Sequence, residues 1–417
     1  MLLRIVWVMP CCCKWAALFI MRHEYDSKNE NRATSPLPGD KGFGCGFYQE
    51  GGIMNRTFVS AGRYIQGEGI IKKCGIYVKP LGSHPVVVGG STGISVVIHQ
   101  LRDSLQKADV ELCDIFSKAH ACTEKTIYQT QEKVKETEAD LIIGVGGGSA
   151  VDVAKAAAFQ LQLPVVTIPT VPSTNADMSA VSIVYNDEGT FKTRIRSHQN
   201  PCLVVVDTGV LASAPPSFLA SGMGDALSSR FEIEACYQSS SKNHVGGHAM
   251  DFLVHTGRLC YDILMEKGES AFSHVKKNKV TPAVESVIEA IKFQSAIGFE
   301  SGGNAAAHAI HNGFTRASHV KGSHGEIVAF SVIAQLFLED KPLYLIEKVA
   351  KWCHALGLPT TLTDLSVNED CIKAVSEASC YPESSIHNEP FPVTPSDVAQ
   401  SIIHVHNLGC LIAEGEV

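Results

Sequence analysis

DLIIGVGGGSAVDVAKAAA, residues 140–158, decides how this chain is built. Its first part is a β-branched apolar run of the length of one strand, and its last part repeats apolar residues at helical spacing. Gly146, Gly147, Gly148 and Ser149 stand between them, with Asp152 and Lys155 on the first helical turns. An uninterrupted apolar strand that passes through a tight glycine turn into a helix is the repeating unit of a parallel sheet buried on both faces. The turn also has a chemical use. Glycines let the backbone come close to a diphosphate, whose charge meets unpaired N–H groups and the positive end of the helix dipole. It matches neither G-x-G-x-x-G nor a P-loop, because no Gly-Lys-Ser/Thr follows.

Runs of the same kind lie on either side: PVVVGG at 85–90, PVVTIPT at 164–170 and CLVVVD at 202–207. Segments such as IKKCGIYVKPL and AVDVAKAAAFQLQ separate them, and together they predict a doubly wound parallel sheet. The turn PTVPSTNADMSA follows PVVTI at a carboxyl strand end and should face the same crevice as the glycine turn. After Pro216 the Val-rich runs stop, and apolar residues recur at three and four, with caps before several starts and Gly after several ends. The expected organisation is therefore an α/β dinucleotide-binding domain over 54–215 and an all-helical domain over 216–417. The cleft between them is the expected ligand site.

Composition narrows the function classes. Over 417 residues the hydrophobic fraction is 45% and the charged fraction 19%, which fits a folded globular protein with a sizeable core. The net charge of −8, with 43 carboxylates against 35 Lys and Arg and no like-charge run, argues against nucleic acid or an anionic membrane as partner. Fourteen cysteines are too dilute for a disulfide scaffold and contain no Cys-x-x-Cys pair, so a reducing, cytoplasmic setting is expected. Residues 2–20 are apolar but interrupted by Arg4, Pro10 and Lys14, a poor membrane span without a signal cleavage site. Cysteines 11–13 are candidates for palmitate. Residues 21–53 are polar and Gly-rich, so 1–53 reads as a disordered extension and Met54 as a possible start.

Metal chemistry is suggested further on. SGMGDAL at 221–227 places Asp225 at an expected helix start, where a carboxylate also serves as a cap. The segment around 308–324 offers His308, His311, His319 and His324. His308 and His311 lie one turn apart on one helix face, and His324 opens the next helix. Two neutral imidazoles and one carboxylate, with a coordination position left open, suit a catalytic zinc or non-haem iron(II) site. Spacing alone does not bring residue 225 to residue 308.

Through GRYIQG at 62–67, GGGSAVDVAK at 146–155, SGMGDAL at 221–227, GFESGGNAAAHAIHNGFT at 298–315 and HGEIVAF at 324–330, the chain resembles the iron-containing alcohol dehydrogenase superfamily, and within it the glycerol dehydrogenases. The resemblance spans 54–417. It implies a dehydroquinate-synthase-like architecture with a divalent metal between the domains, on Asp225, His308 and His324. His311 is implied beside them as a catalytic or substrate-pocket residue. The diphosphate site falls on Gly146, Gly147, Gly148, Ser149, Ala150, Val151 and Asp152. The nicotinamide side falls on Thr170, Val171, Pro172, Ser173, Ser179, Val181 and Tyr185. A homo-oligomer and reversible oxidation of a small polyol, glycerol to dihydroxyacetone, are likewise implied, with zinc preferred to iron(II).

Two departures qualify this. Such enzymes end the strand at 85–89 with an Asp that holds the adenosine ribose hydroxyls, and Gly90 stands there instead. An acidic residue repels a 2′-phosphate and Gly does not, so NAD and NADP are both open. Asn175 replaces an Asp that contacts a substrate hydroxyl, keeping an acceptor and losing the charge; Asp177 is a candidate to substitute. The alternative within the fold is an NADPH-dependent aldehyde or ketone reductase. A dehydroquinate-synthase-type lyase is less favoured, because its anionic substrates need extra cations and the segment 308–324 supplies only Arg316 and Lys321.

Overall fold

The structure is a computed structural model that describes residues 55–317 and 319–417. The readings made for 1–53, for cysteines 11–13 and for a start at Met54 lie outside the described residues.

Six strands form one parallel sheet: β1 (Tyr64–Gly67), β2 (Pro85–Gly89), β3 (Asp114–Phe116), β4 (Leu141–Gly146), β5 (Val165–Pro169) and β8 (Leu203–Asp207). Their order is β1-β8-β5-β4-β2-β3. Every residue of β2, β4 and β8 is buried, which is why these strands read as unbroken apolar runs. Alternate residues serve opposite faces. Val87, Ile143 and Val145 pack with α1 (Ser91–Lys107), whereas Val86, Val88 and Ile142 pack under the alanines of α3 (Gly148–Leu161). Between α1 and α3 the chain passes through α2 (Glu124–Glu136), capped by Thr123 Oγ1 accepting from Thr126 N. The winding reverses between β2 and β4. Ligands of open α/β sheets bind at such a switch point, outside the carboxyl strand ends.

Four strands were not foreseen. β1 and β3 are short, half-buried edge strands without a continuous apolar run. β6 (Val181–Tyr185) and β7 (Phe191–Arg196) form a separate antiparallel hairpin whose second strand is largely exposed.

From Pro216 onward the described chain is helical: α4 (Pro216–Ser239), α5 (Asp251–Val275), α6 (Pro282–Glu289), α7 (Ala306–Ala317), α8 (His324–Leu338), α9 (Leu343–Ala355), α10 (Ile372–Ser379) and α11 (Pro395–Ala413). α6 continues through two π turns, Ala290–Gln294 and Gly298–Gly302. One core joins these helices to Val204 and Val206 of β8, so sheet and helices share apolar contacts. The first described residues also reach the helical half: Thr57 N donates to His248 O at 3.3 Å and Val59 N to Ser301 Oγ at 3.0 Å. All ten described cysteines are free thiols, five of them buried. Among the described residues, no helix is long and apolar enough to cross a membrane.

Candidate metal centre and nucleotide cleft

Asp225 does not cap a helix start. It lies within the 24-residue α4, and its side chain is 7% exposed. The glycines around it suggested a turn, but they serve a close helix contact: a Cβ on Gly224 would stand 2.4 Å from Gly325 O, and one on Gly325 would stand 1.8 Å from Ser221 O. The backbones of α4 and α8 therefore touch where α8 begins. His324 is the first residue of α8, held by a capping box in which Ser323 N donates to Glu326 Oε2 at 2.6 Å.

His308 lies on the first turn of α7, whose free N–H groups are met by buried side chains. Glu232 Oε1 accepts from Ala305 N at 2.8 Å and from His308 N at 2.9 Å. Glu389 Oε1 accepts from Ala306 N at 3.0 Å, and Gln335 Oε1 from Ala307 N at 3.1 Å. These contacts fix the helix carrying the imidazole from three sides.

The folded chain thus brings residues 225, 308 and 324 together. His308 Nε2 is 3.6 Å and His324 Nε2 3.3 Å from Asp225 Oδ1, and one ligand atom from each residue lies within 4.8 Å of the others. His319 is exposed and outside this group. The remaining imidazole nitrogens are occupied. His308 Nδ1 is 2.6 Å from Glu232 Oε2, and His324 Nδ1 is 3.0 Å from His311 Nε2. Burial, then the neighbouring charges of His324 and His308, pull the His311 pKa well below its ordinary value, so His311 is neutral. Its Nδ1 faces Asn312 Oδ1 at 3.2 Å; donating there leaves Nε2 to accept from His324 Nδ1. That leaves Nε2 as the His324 nitrogen that faces Asp225 and that a cation could use in place of its proton. Burial pushes the Asp225 pKa up, but the His324 charge and hydrogen bonds from both histidines outweigh it and hold the carboxyl well below its usual range. Two imidazole nitrogens, each oriented from behind, and one carboxylate oxygen suit a divalent metal.

Glu232 was missed in the sequence. It lies seven residues after Asp225, two turns along the same face of α4, and that spacing was the available signal. Glu232→Gln keeps the shape and removes the charge behind His308. Metal affinity is expected to fall roughly 10- to 100-fold, as measured by chelator competition.

The candidate nucleotide cleft lies where three strand-end turns converge. A Cβ on Gly93, in the first turn of α1, would stand 2.9 Å from Gly146 Cα; one on Gly147 would stand 3.2 Å from Val171 Cγ2. Val151 N, bonded to Gly147 O at 3.1 Å, makes the first helical bond of α3, so the N–H groups of Gly148, Ser149 and Ala150 emerge at the helix end. Ser149 is exposed there. With Tyr185, Thr123 and Lys125, it lines a cavity of about 520 Å³ that includes none of the three candidate metal ligands.

Other members of the expected nucleotide set lie beneath this surface. The Asp152 carboxylate is turned inward, 2.9 Å from Lys155 Nζ and accepting from Ile183 N at 3.0 Å, so it supports the loop and offers no side chain to a diphosphate. Lys155 Nζ donates to Ala176 O at 2.6 Å and Ser179 O at 3.0 Å, and also to Val181 O, which keeps Ser179 and Val181 buried. Thr170 is buried, with its N–H on Gly146 O at 3.0 Å. Pro172 O packs on Gly222 of α4, while Val171 and Ser173 remain partly exposed in the cleft turn.

Asn175 Nδ2 donates to Ser295 Oγ at 2.9 Å, which fixes the amide. Asp177 cannot take over a substrate contact. It is 2% exposed and paired with Lys292 Nζ at 2.8 Å, and Lys292 also donates to Thr174 O. Glu300 accepts from Ala180 N at 2.9 Å. Lys292 and Glu300 lie in the two π turns, a geometry that recurs at functional sites, and tie the 174–180 turn to the helices. Their charges in an otherwise apolar run were the sequence signal. Arg316 stacks over the Tyr381 ring at 4.0 Å, which occupies one of the two cations considered for an anionic substrate.

Fold and site together point to one class: a candidate switch-point nucleotide cleft beside residues able to hold a metal ion. The pattern of the family described as "Iron-containing alcohol dehydrogenase" matches residues 61–208. The chain is 40% identical over 360 residues to the glycerol dehydrogenase of Pseudomonas putida, covering 85% of this chain and 98% of that protein. It is 34% identical over 360 residues to a glycolaldehyde reductase of Halobacterium salinarum, at the same two coverages of 85% and 98%. The crystal structure of glycerol dehydrogenase from Schizosaccharomyces pombe superposes with a TM-score of 0.82 at 32% identity, covering 88% of this chain and 94% of that one. The chain belongs to the iron-containing alcohol dehydrogenase family and is an oxidoreductase.

Proposed function

We propose that the protein reversibly oxidises a small polyol, with glycerol to dihydroxyacetone as the reference reaction, using a nicotinamide dinucleotide and a divalent metal. The observation that carries this reading is the meeting of Asp225, His308 and His324 near a cleft in which Gly93 and Gly146 leave no room for a side chain. When bound, the metal polarises the substrate oxygen and the nicotinamide exchanges the hydride. The chain supplies position and charge. Asp225, His308 and His324 hold the ion, for which zinc is the expected occupant and iron(II) the alternative. Glu232 orients His308, and His311, kept neutral, orients His324. Asn175, with its Nδ2 on Ser295, presents Oδ1 to accept from a second substrate hydroxyl. The N–H groups at the start of α3 receive the diphosphate. We further read the protein as a cytoplasmic homo-oligomer; its free thiols suit a reducing compartment.

A kinetic scan of the purified chain tests this, with glycerol and other 1,2-diols against NAD and NADP and with metal content measured. Turnover of glycerol or a close diol by metal-loaded protein is expected; failure with every polyol in both directions would overturn the reading. A second reading is aldehyde reduction, favoured by the similarity to the glycolaldehyde reductase. It predicts a higher kcat/KM for glycolaldehyde with reduced cofactor than for any polyol with oxidised cofactor.

Metal loading should depend on pH. Burial lowers the His308 pKa, but the Glu232 charge and hydrogen bonds to Asp225 and Glu232 outweigh it and raise the pKa to about 10. Below that pH the metal-free imidazole carries both protons and must lose one to bind a cation. The apparent association constant should therefore rise about tenfold per pH unit towards 10 and fall as pH drops, as measured by metal titration in weakly coordinating buffers.

A further inference from the structure

We propose that the protein prefers NADP(H) to NAD(H), with Lys118 and His120 receiving the 2′-phosphate beside Gly90. This rests on the nucleotide cleft proposed above. The sheet order fixes which way a dinucleotide lies across it. With the diphosphate on the turn after β4, the nicotinamide points towards β5, whose following turn packs through Pro172 O on Gly222 of α4, the helix that carries Asp225. The adenosine half then lies over the ends of β2 and β3, on the other side of the switch point.

The two segments that border that end carry no acidic side chain, although Asp187 lines the adjoining cavity. Residues 89–92 are Gly-Gly-Ser-Thr, and residues 117–123 are Ser-Lys-Ala-His-Ala-Cys-Thr. Glu124, the next acidic residue, is paired with Lys192 at 2.7 Å. The segment after β3 is drawn against the end of β2: Ala119 N donates to Gly89 O at 3.0 Å, and Lys118 and Gly90 form a β-bridge. The His120 ring is the nearest side chain to Gly90, with Nδ1 3.4 Å from where a Cβ would stand. Lys118 and His120 are exposed, and neither has an ion-pair partner among the described residues. The cavity beside Ser149 reaches Ala121, the residue after His120, and is lined by Lys125 as well as Asp187. Specificity for the unphosphorylated ribose is commonly imposed by a carboxylate at a strand end of this kind. Gly90 is not there for conformation, because its φ of −81° and ψ of 148° suit any residue. Its effect is chemical: it leaves room and charge balance for a dianion facing Lys118, His120 and the hydroxyls of Ser91 and Thr92.

Calorimetric titration of the full chain with ADP-ribose and with 2′-phospho-ADP-ribose tests this without turnover. The phosphorylated ligand is expected to bind about tenfold tighter or better. Gly90→Asp, allowed by the local backbone and by an exposed ring that can turn aside, should reverse the order. Lys118→Ala and His120→Ala should weaken the phosphorylated ligand and leave ADP-ribose unchanged. Tight binding of ADP-ribose without a gain from the 2′-phosphate would overturn this inference alone. Equal losses for both ligands in the two Ala variants would do the same. Failure of either ligand to bind would overturn it together with the cofactor reading.

Discussion

His308→Ala is expected to yield a folded protein whose metal affinity and polyol oxidation both fall by more than about a hundredfold. The size follows from what the side chain does: it supplies one of three candidate ligands, and removing a ligand costs more than removing the Glu232 carboxylate behind it. Retention of the fold follows from what remains. Position 308 lies in the first turn of α7, where alanine is a good helix former. Its backbone N–H still meets Glu232 Oε1 at 2.9 Å, as Ala305 N does at 2.8 Å, so the buried carboxylate keeps two donors after losing the imidazole. Metal analysis, circular dichroism and initial rates on one preparation give the three readouts. Wild-type turnover by a metal-free variant would remove the site assignment.

Legibility in the sequence followed burial. Strands β2, β4, β5 and β8 were visible because two covered faces demand apolar residues at every position. β1 and β3 are edge strands of four and three residues and carry no such demand. The hairpin β6–β7 was hidden for a related reason, since Lys192, Arg194 and Arg196 face solvent in β7. The candidate metal ligands were found by residue type and family resemblance, but their convergence required tertiary structure: 82 residues lie between positions 225 and 308, and only the packing of α4 against α7 and α8 closes that gap. Support residues were the least legible. Asp152 and Asp177 looked available because sequence does not show Lys155 and Lys292 waiting for them in the interior.

Gly325→Ala is expected to lower both stability and metal affinity, although the residue touches neither metal nor substrate. The added methyl would stand 1.8 Å from Ser221 O, a backbone atom of α4 that cannot turn away as a side chain can. Relief requires α4 and α8 to separate by more than an ångström at the point where Gly224 already meets Gly325 O. From Ile327 to Phe337 every residue of α8 is buried, so the helix has no free direction to move. A forced shift of this kind costs about 3 kcal/mol, which a denaturant titration reads as a lower midpoint at unchanged slope. The metal consequence is separate. His324 precedes Gly325, and its Nε2 stands 3.3 Å from Asp225 Oδ1 on the opposing helix. Metal geometry tolerates only about 0.2 Å, so displacing one helix against the other separates ligands whose chemistry is untouched. Wild-type stability and wild-type metal affinity in the variant would show that the helices can part without cost. Loss of both would show that the glycines of SGMGDAL and HGEIVAF set the spacing at which a carboxylate from one helix and an imidazole from another can share an ion.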